Sequence, residues 1–240
     1  MKMNKLAQRV LILCCVTILF TGANLPAQNS QGGTNPLSFG IRAGFSAPVI
    51  TVDNQPASIN RIAPVVGGFA QYRVLPWVAA SIEVLYTQYG GNNISPLFIY
   101  SPDSPILNNL VKTDLNIHSI EIPVLAKIGI PGMSGAVKPY LSVGGSAAFF
   151  LQADATNYFL VNNGVNLPIL NSANNIVTSR INGYDFSGIA GTGVDFQGDK
   201  YNFSIEIYYR IGLSDLNANV NAYAPSYRTN AFGLKIGIGL

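Results

Sequence analysis

The sequence has 240 residues, of which 48% are hydrophobic and only 10% are charged, with a formal net charge of +3. One histidine and two cysteines leave few candidates for metal ligands or nucleophiles, and a nucleic-acid-binding chain would need a stronger basic footprint. The composition therefore favours two classes: a β domain with a large apolar core, or a membrane β-barrel with its apolar side outward.

The first 27 residues have the three-part layout of a secretory signal peptide. Its parts are the basic residues Lys2, Lys5 and Arg9, the apolar run Leu11–Ala23, and a small-residue cleavage site at Pro26-Ala27. The run is shorter than the roughly 20 residues of a spanning helix, so a retained anchor is the weaker alternative. Both cysteines and three of the 14 Lys and Arg residues lie in this segment. We expect a mature chain without cysteine, with 11 basic and 11 acidic residues, and no nucleic-acid partner.

Strict alternation of side chains predicts eight β-strands in residues 37–240. From Tyr201 to Leu213, one set of alternate positions is wholly apolar, and the other is mostly Asn, Ser, Glu, Arg and Gly. A membrane-spanning strand needs about 10 such residues. The other seven segments are Leu37–Ala47, Pro64–Leu75, Trp77–Gly90, Asp114–Ile130, Val137–Gln152, Ile181–Phe196 and Tyr227–Leu240. The predicted fold is all-β, an eight-stranded antiparallel transmembrane β-barrel with up-and-down topology. Pro123 has no N–H group to donate to the β-ladder, which predicts a bulge or a local irregularity there.

The connections between these strands alternate in length. The first, third, fifth and seventh (residues 48–63, 91–113, 153–180 and 214–226) are long and rich in Asn, Ser and Pro, and the others are short. Long extracellular loops and short periplasmic turns are typical of outer-membrane barrels. We therefore predict a multi-pass protein of the cell outer membrane, surrounded by its lipid, with residues 28–36 as a short periplasmic segment.

Alternation also places charged residues on the inner face of the barrel. They are Arg42, Arg73, Lys127, Arg210 and Lys235, with Glu83, Glu121, Asp185, Asp195 and Glu206. Buried charges are tolerated when they are paired, and eight strands leave an interior just wide enough for side chains. We predict a structural network of ion pairs in a packed core. A small porin-like transport channel, with these charges as a proton path or selectivity filter, is the alternative.

The sequence offers little for catalysis. His118 is the only histidine, and alternation places it on the outer face near the extracellular end. Ser119 follows on the opposite face, so the two cannot form a hydrogen-bonded pair. We predict no enzymatic activity and no catalytic, cofactor-binding or metal-binding residues, and an outer-leaflet lipid-modifying enzyme is the less favoured alternative. The long loops mix asparagine with apolar stretches such as YFLV and LPIL, which predicts that they cap the barrel or contact a partner.

The mature chain resembles the PorT family of outer-membrane β-barrel proteins. The resemblance rests on FGIRAGFS (Phe39–Ser46), EVLY (Glu83–Tyr86), SIEIPVLAKIG (Ser119–Gly129), KPYLSVGGSAAFFL (Lys138–Leu151), GIAGTGVDF (Gly188–Phe196) and YYRIGLSDL (Tyr208–Leu216). It implies an eight-stranded barrel in the outer membrane and a link to the secretion of proteins across that membrane. Secretion or assembly proteins are therefore the expected partners, and a monomer is the favoured oligomeric state.

Overall fold

The computed structural model describes residues 36–52, 55–56, 58–94, 110–133, 135–161, 169–198, 200–217 and 226–240. Within them the chain forms ten strands: β1 Leu37–Val52, β2 Gln55–Pro56, β3 Ala63–Leu75, β4 Val78–Ile94, β5 Leu110–Gly129, β6 Val137–Val161, β7 Ile169–Ile176, β8 Tyr184–Gln197, β9 Asn202–Gly212 and β10 Tyr227–Gly239. A short 3₁₀ helix, Thr178–Arg180, follows β7. The predicted signal peptide and residues 28–35 lie outside the described residues.

Eight of the strands form a closed antiparallel ring in the order β1, β3, β4, β5, β6, β8, β9 and β10. The ladder that closes the ring joins β10 to β1 from Gly40↔Gly239 to Val52↔Tyr227. Closure gives the first and last strands a partner on both sides, as a bilayer requires of every backbone N–H and C=O group. The predicted eight-stranded up-and-down barrel is confirmed.

The prediction that residues 153–180 form the fifth loop is wrong in large part. β6 continues to Val161, and β7 pairs with the C-terminal part of β6 from Asp154↔Ile176 to Val161↔Ile169. The sequence of β7, ILNSANNI, lacks a long alternating pattern, and its asparagines disfavour a strand. Pairing with the extended β6 supplies the backbone hydrogen bonds that local propensity does not predict.

The ladders of β5 contain four irregularities, and two of them lie between His118 and Pro123. The β4–β5 ladder lacks the pairs opposite Ile122 and Pro123 but keeps its register, which confirms the predicted local irregularity at the proline. The β5–β6 ladder has a true bulge, where His118 pairs with Gln152 and Ser119 pairs with Phe150. The extra residue on β6 reorients the strand beyond this level.

The outer face of β5 marks the limits of an apolar belt. We call the end with both termini and the short connections the turn end, and the opposite end the loop end. From the turn end, the outward residues are Ile130, Ile128, Ala126, Val124, Ile122 and Ile120, then His118, Asn116, Asp114 and Lys112. Ile120 to Ile130 spans about 34 Å along a strand. At a tilt of about 40° this gives a belt about 26 Å high, the height of the apolar band in outer-membrane barrels.

Toward the loop end from this belt, the barrel interior becomes mainly apolar, with Thr113 and Asn157 among its few buried polar residues. Thirteen buried residues form what we call the loop-end cluster: Ile50, Tyr89, Ile94, Leu115, Ile117, Ala148, Phe150, Ala153, Ala155, Val177, Ile181, Leu216 and Tyr227. They come from β1, β4, β5, β6 and β10 and from the segments around the 3₁₀ helix and after β9. The polarity of the strands therefore reverses along their length. Within the belt their outward side chains are apolar, and toward the loop end their inward side chains are mainly apolar.

Among the described residues, no helix is long and apolar enough to cross a membrane.

Candidate functional site: the barrel interior

Four buried charged side chains form an ion-pair layer in the middle of the barrel, which we call the Arg42 layer. Arg42 Nη1 lies 2.7 Å from Glu83 Oε1 and 3.4 Å from Glu206 Oε2. Lys235 Nζ lies 3.1 Å from Glu83 Oε2 and 3.2 Å from Glu206 Oε1. The Tyr140 hydroxyl donates to Glu206 Oε2 at 2.9 Å. The layer is neutral because it contains two cations and two carboxylates. Each cation contacts both carboxylates, and these attractions offset part of the cost of burying the charges.

A second layer, centred on Arg210 of β9, lies closer to the loop end. Arg210 Nε donates to Glu121 Oε1 at 3.0 Å, and Nη2 donates to Asp185 Oδ2 at 2.7 Å. Its Nη1 donates to the Thr229 carbonyl at 2.9 Å and to the Thr229 hydroxyl at 2.8 Å. The Tyr89 hydroxyl donates to Glu121 Oε2 at 2.5 Å. Among the ion pairs of the described residues, Arg210 is the only cation on either carboxylate, so this Arg210 layer depends on one side chain.

An aromatic ring lies against each buried cation of the interior. The pairs are Arg42 with Phe69 at 4.7 Å, Lys235 with Tyr208 at 4.7 Å, Arg210 with Tyr89 at 4.3 Å, and Lys127 with Tyr140 at 4.1 Å from the ring centroid. Such contacts are strongest where water is excluded. The sequence interpretation missed these rings, although alternation from Glu83 places Tyr89 on the same inner face.

The interior charges are more loosely paired at the turn end. Lys127 Nζ lies 3.6 Å from Asp195 Oδ1, and the Asp195 side chain is 28% exposed. Arg73 lines the opening beside them but makes no ion pair with a described residue. The structure brings nine of the ten predicted interior charges into ion pairs. Arg73 is partly exposed at the mouth and makes no ion pair with a described residue, so its place in this network stays a prediction.

From the turn end toward the loop end, the Arg42 layer, the Arg210 layer and the loop-end cluster fill the interior in this order. Arg42, Arg210, Tyr89, Lys235 and Leu115 are among the largest fully buried side chains. An ion crossing the barrel would have to displace paired charges and then pass the loop-end cluster, whose buried side chains are apolar except for the hydroxyls of Tyr89 and Tyr227. In the part of the chain that the structure describes, the interior is therefore a packed core.

His118 lies on the outer surface at the upper edge of the apolar belt. Its Nδ1 lies 2.6 Å from the Tyr86 hydroxyl, and its Nε2 lies 3.0 Å from the Asn116 amide nitrogen and 3.5 Å from Asp154 Oδ2. Ser119 points inward, where its hydroxyl donates to a backbone carbonyl of β4 at 3.0 Å. The side-chain partners of His118 among the described residues include no Ser, Thr or Cys, the usual nucleophiles beside a histidine base.

Several solved outer-membrane barrels have a similar structure. OprG from Pseudomonas aeruginosa is 12% identical, with 88% of this chain and 98% of that chain covered and a TM-score of 0.46. Neisserial surface protein A is 13% identical, with 83% and 96% covered and a TM-score of 0.43. Ail of Yersinia pestis, solved with the heparin analogue sucrose octasulfate, is 13% identical, with 85% and 99% covered and a TM-score of 0.41. Similarity at this level does not extend to function.

The family of the chain follows from a match over most of its length. No curated protein matches the sequence. A family model described as an outer membrane protein beta-barrel domain matches residues 26–218. The matched range includes β1 to β9, and with them most of both charge layers and most of the loop-end cluster. The chain therefore belongs to the family of outer membrane protein beta-barrel domains and is a protein of the outer membrane.

Proposed function

We propose that this protein is a closed, non-conducting and non-enzymatic barrel that serves protein secretion or assembly at the outer membrane through contacts made at its loop end. The observation that carries the proposal is the filled interior. Two layers of buried ion pairs and the loop-end cluster occupy the space that a porin would keep open. A barrel of this kind acts through its surface, and export by the signal peptide at residues 1–27 is part of the same proposal.

The surface best suited to contacts is the β6–β7 hairpin. Leu160 lies 11 residues beyond Phe149, the last aromatic of the apolar belt on β6, which corresponds to about 37 Å of strand. The outer face of the hairpin exposes Leu160, Leu170 and Ile176, the last of them 73% accessible. Large apolar side chains exposed beyond the bilayer are typical of interaction surfaces. The resemblance to the PorT family supports secretion or assembly proteins as the partners.

Paired substitutions on β7 test this role. Leu170→Asp with Ile176→Asp is expected to lower the secretion of cargo across the outer membrane and the co-purification of secretion components with the tagged barrel. The added charges remove the apolar contact without touching the barrel interior. Asn171→Asp with Asn174→Asp, on the same exposed strand, is the matched control and should leave both readouts unchanged. Normal secretion in cells that lack the protein altogether would refute the secretion role.

Removal of His118 tests the enzymatic alternative. His118→Ala should leave the lipid composition of the outer membrane unchanged, as measured by mass spectrometry of extracted lipids. The reason is that the partners of the imidazole among the described residues are a phenol, an amide and a carboxylate, and none of them is a Ser, Thr or Cys nucleophile. Cells that lack the whole protein provide the reference. A lipid species that changes equally in the variant and in these cells would show that His118 is catalytic.

A further inference from the structure

The barrel interior opens at the turn end into two adjoining cavities of about 50 and 40 Å³. Both are lined by Gln71, Arg73, Lys127, Asp195 and Gln197, so they form one vestibule. Short turns face the periplasm in outer-membrane barrels, which makes this the periplasmic mouth. The space is large enough for a few water molecules or for one small polar group.

The vestibule has more positive than negative charge. Arg73, Lys127 and Lys138 line it, and Asp195 is the one carboxylate among its described lining residues. Lys127 contacts Asp195 at 3.6 Å, whereas Arg73 and Lys138 make no ion pair with a described residue. The sequence interpretation missed Lys138, although alternation with Tyr140 places it on the inner face. Elsewhere in the barrel each buried cation contacts at least one carboxylate, so the excess charge is particular to this mouth.

Buried hydrogen-bond donors without partners lie just above the vestibule. Arg42 is 1% exposed, and its Nε and Nη2 atoms have no hydrogen-bond partner among the described residues. Its guanidinium stacks on Phe69, which lines the second cavity together with Ser204. The Ser142 hydroxyl, the next inward position after Tyr140 on β6, also lacks a partner in the described part of the chain. A buried donor without a partner is costly, so these groups favour an acceptor in the space below them.

We propose that the turn-end vestibule binds an oxyanion, namely a carboxylate or phosphate group, from the periplasmic side. The Arg73 guanidinium offers a planar fork that matches either group. Lys127 and Lys138 add charge from the facing strands, and the amides of Gln71 and Gln197 add neutral donors. The anion is either a free small molecule or an acidic side chain of a periplasmic protein. This binding is independent of the contacts proposed for the loop end.

Titration of the folded protein in neutral detergent tests the proposal, with inorganic phosphate and a hexaglutamate peptide as separate probes. The double variant Arg73→Gln with Lys138→Gln should bind either probe about tenfold more weakly or worse, because hydrogen bonds to charged groups are the strong ones. Lys127 is left in place because it belongs to the paired interior. The control is Lys112→Gln with Arg61→Gln, which removes the same charge at the loop end and should bind as the unmodified protein does.

The two probes distinguish the source of the anion. Phosphate binding that exceeds peptide binding indicates a free small anion, and tighter peptide binding indicates a protein carboxylate. A gel-mobility difference between unheated and boiled samples verifies that every variant is folded. The proposal is overturned if neither probe binds the unmodified protein, or if both bind the mouth variant and the loop-end control equally.

Discussion

Arg210→Met is expected to lower the free energy of unfolding by about 3–5 kcal/mol, the usual cost of breaking a buried ion pair by removing one partner. Arg210 is fully buried and donates to Glu121 and Asp185. Methionine fills a similar volume but leaves both carboxylates in a dry interior, without any other cation of the described residues in contact with them. Denaturant titration of the folded barrel, followed by the fluorescence of Trp77, the single tryptophan, measures the change.

Two further variants separate loss of the ion pair from a general effect of substitution. Lys112→Gln removes a surface cation that lies 3.6 Å from Asp114, and exposed pairs contribute about 0–1 kcal/mol. Adding Glu121→Gln and Asp185→Asn to Arg210→Met should recover part of the lost stability, because the stranded charges disappear. An Arg210→Met barrel as stable as the Lys112→Gln barrel would contradict the importance of the Arg210 layer.

Val124→Arg is expected to destabilise the barrel in lipid vesicles by about 2–4 kcal/mol, the cost of an arginine on the lipid face near the bilayer midplane. Val124 points outward from the centre of the apolar belt and is 57% exposed on the isolated protein. In a bilayer this surface contacts hydrocarbon. Reversible unfolding from vesicles, compared with the unmodified protein, measures the difference.

The matched control lies on the neighbouring strand, above the belt. Gln152→Arg places the same side chain at an exposed position, where it can pair with Asp154 as the glutamine does now. Near an interface the expected cost falls to about 0–1 kcal/mol. Equal costs for Val124→Arg and Gln152→Arg would show that the apolar belt does not coincide with the bilayer.

The ring of eight strands was predictable because membrane strands carry their pattern locally. A period of two assigns each residue to lipid or to the interior, and a slip of one residue would reverse both faces. The same alternation located Arg42, Glu83, Glu206 and Lys235 inside. It did not show which charges pair, because that depends on the register between strands distant in sequence, such as β1 with β10.

Other features depend on context that a local pattern does not contain. Beyond the bulge at His118 and Ser119 the strands leave the membrane, and their inner face becomes apolar. Ile117, for example, points inward and belongs to the loop-end cluster, although an inward position within the belt would favour a polar or small residue. β7 is held by pairing with β6 rather than by its own sequence. Arg73 has an inward position but lies partly exposed at the mouth, without an ion pair to a described residue.

The measurement that tests the closed barrel most directly is ion conductance across a planar lipid bilayer. Insertion of the folded protein, verified by its gel mobility before and after boiling, should produce no stable conductance steps. The two ion-pair layers and the loop-end cluster leave no continuous path for a hydrated ion through the described part of the barrel. Reproducible steps of uniform size from the unmodified protein would contradict this account and would favour the porin-like channel.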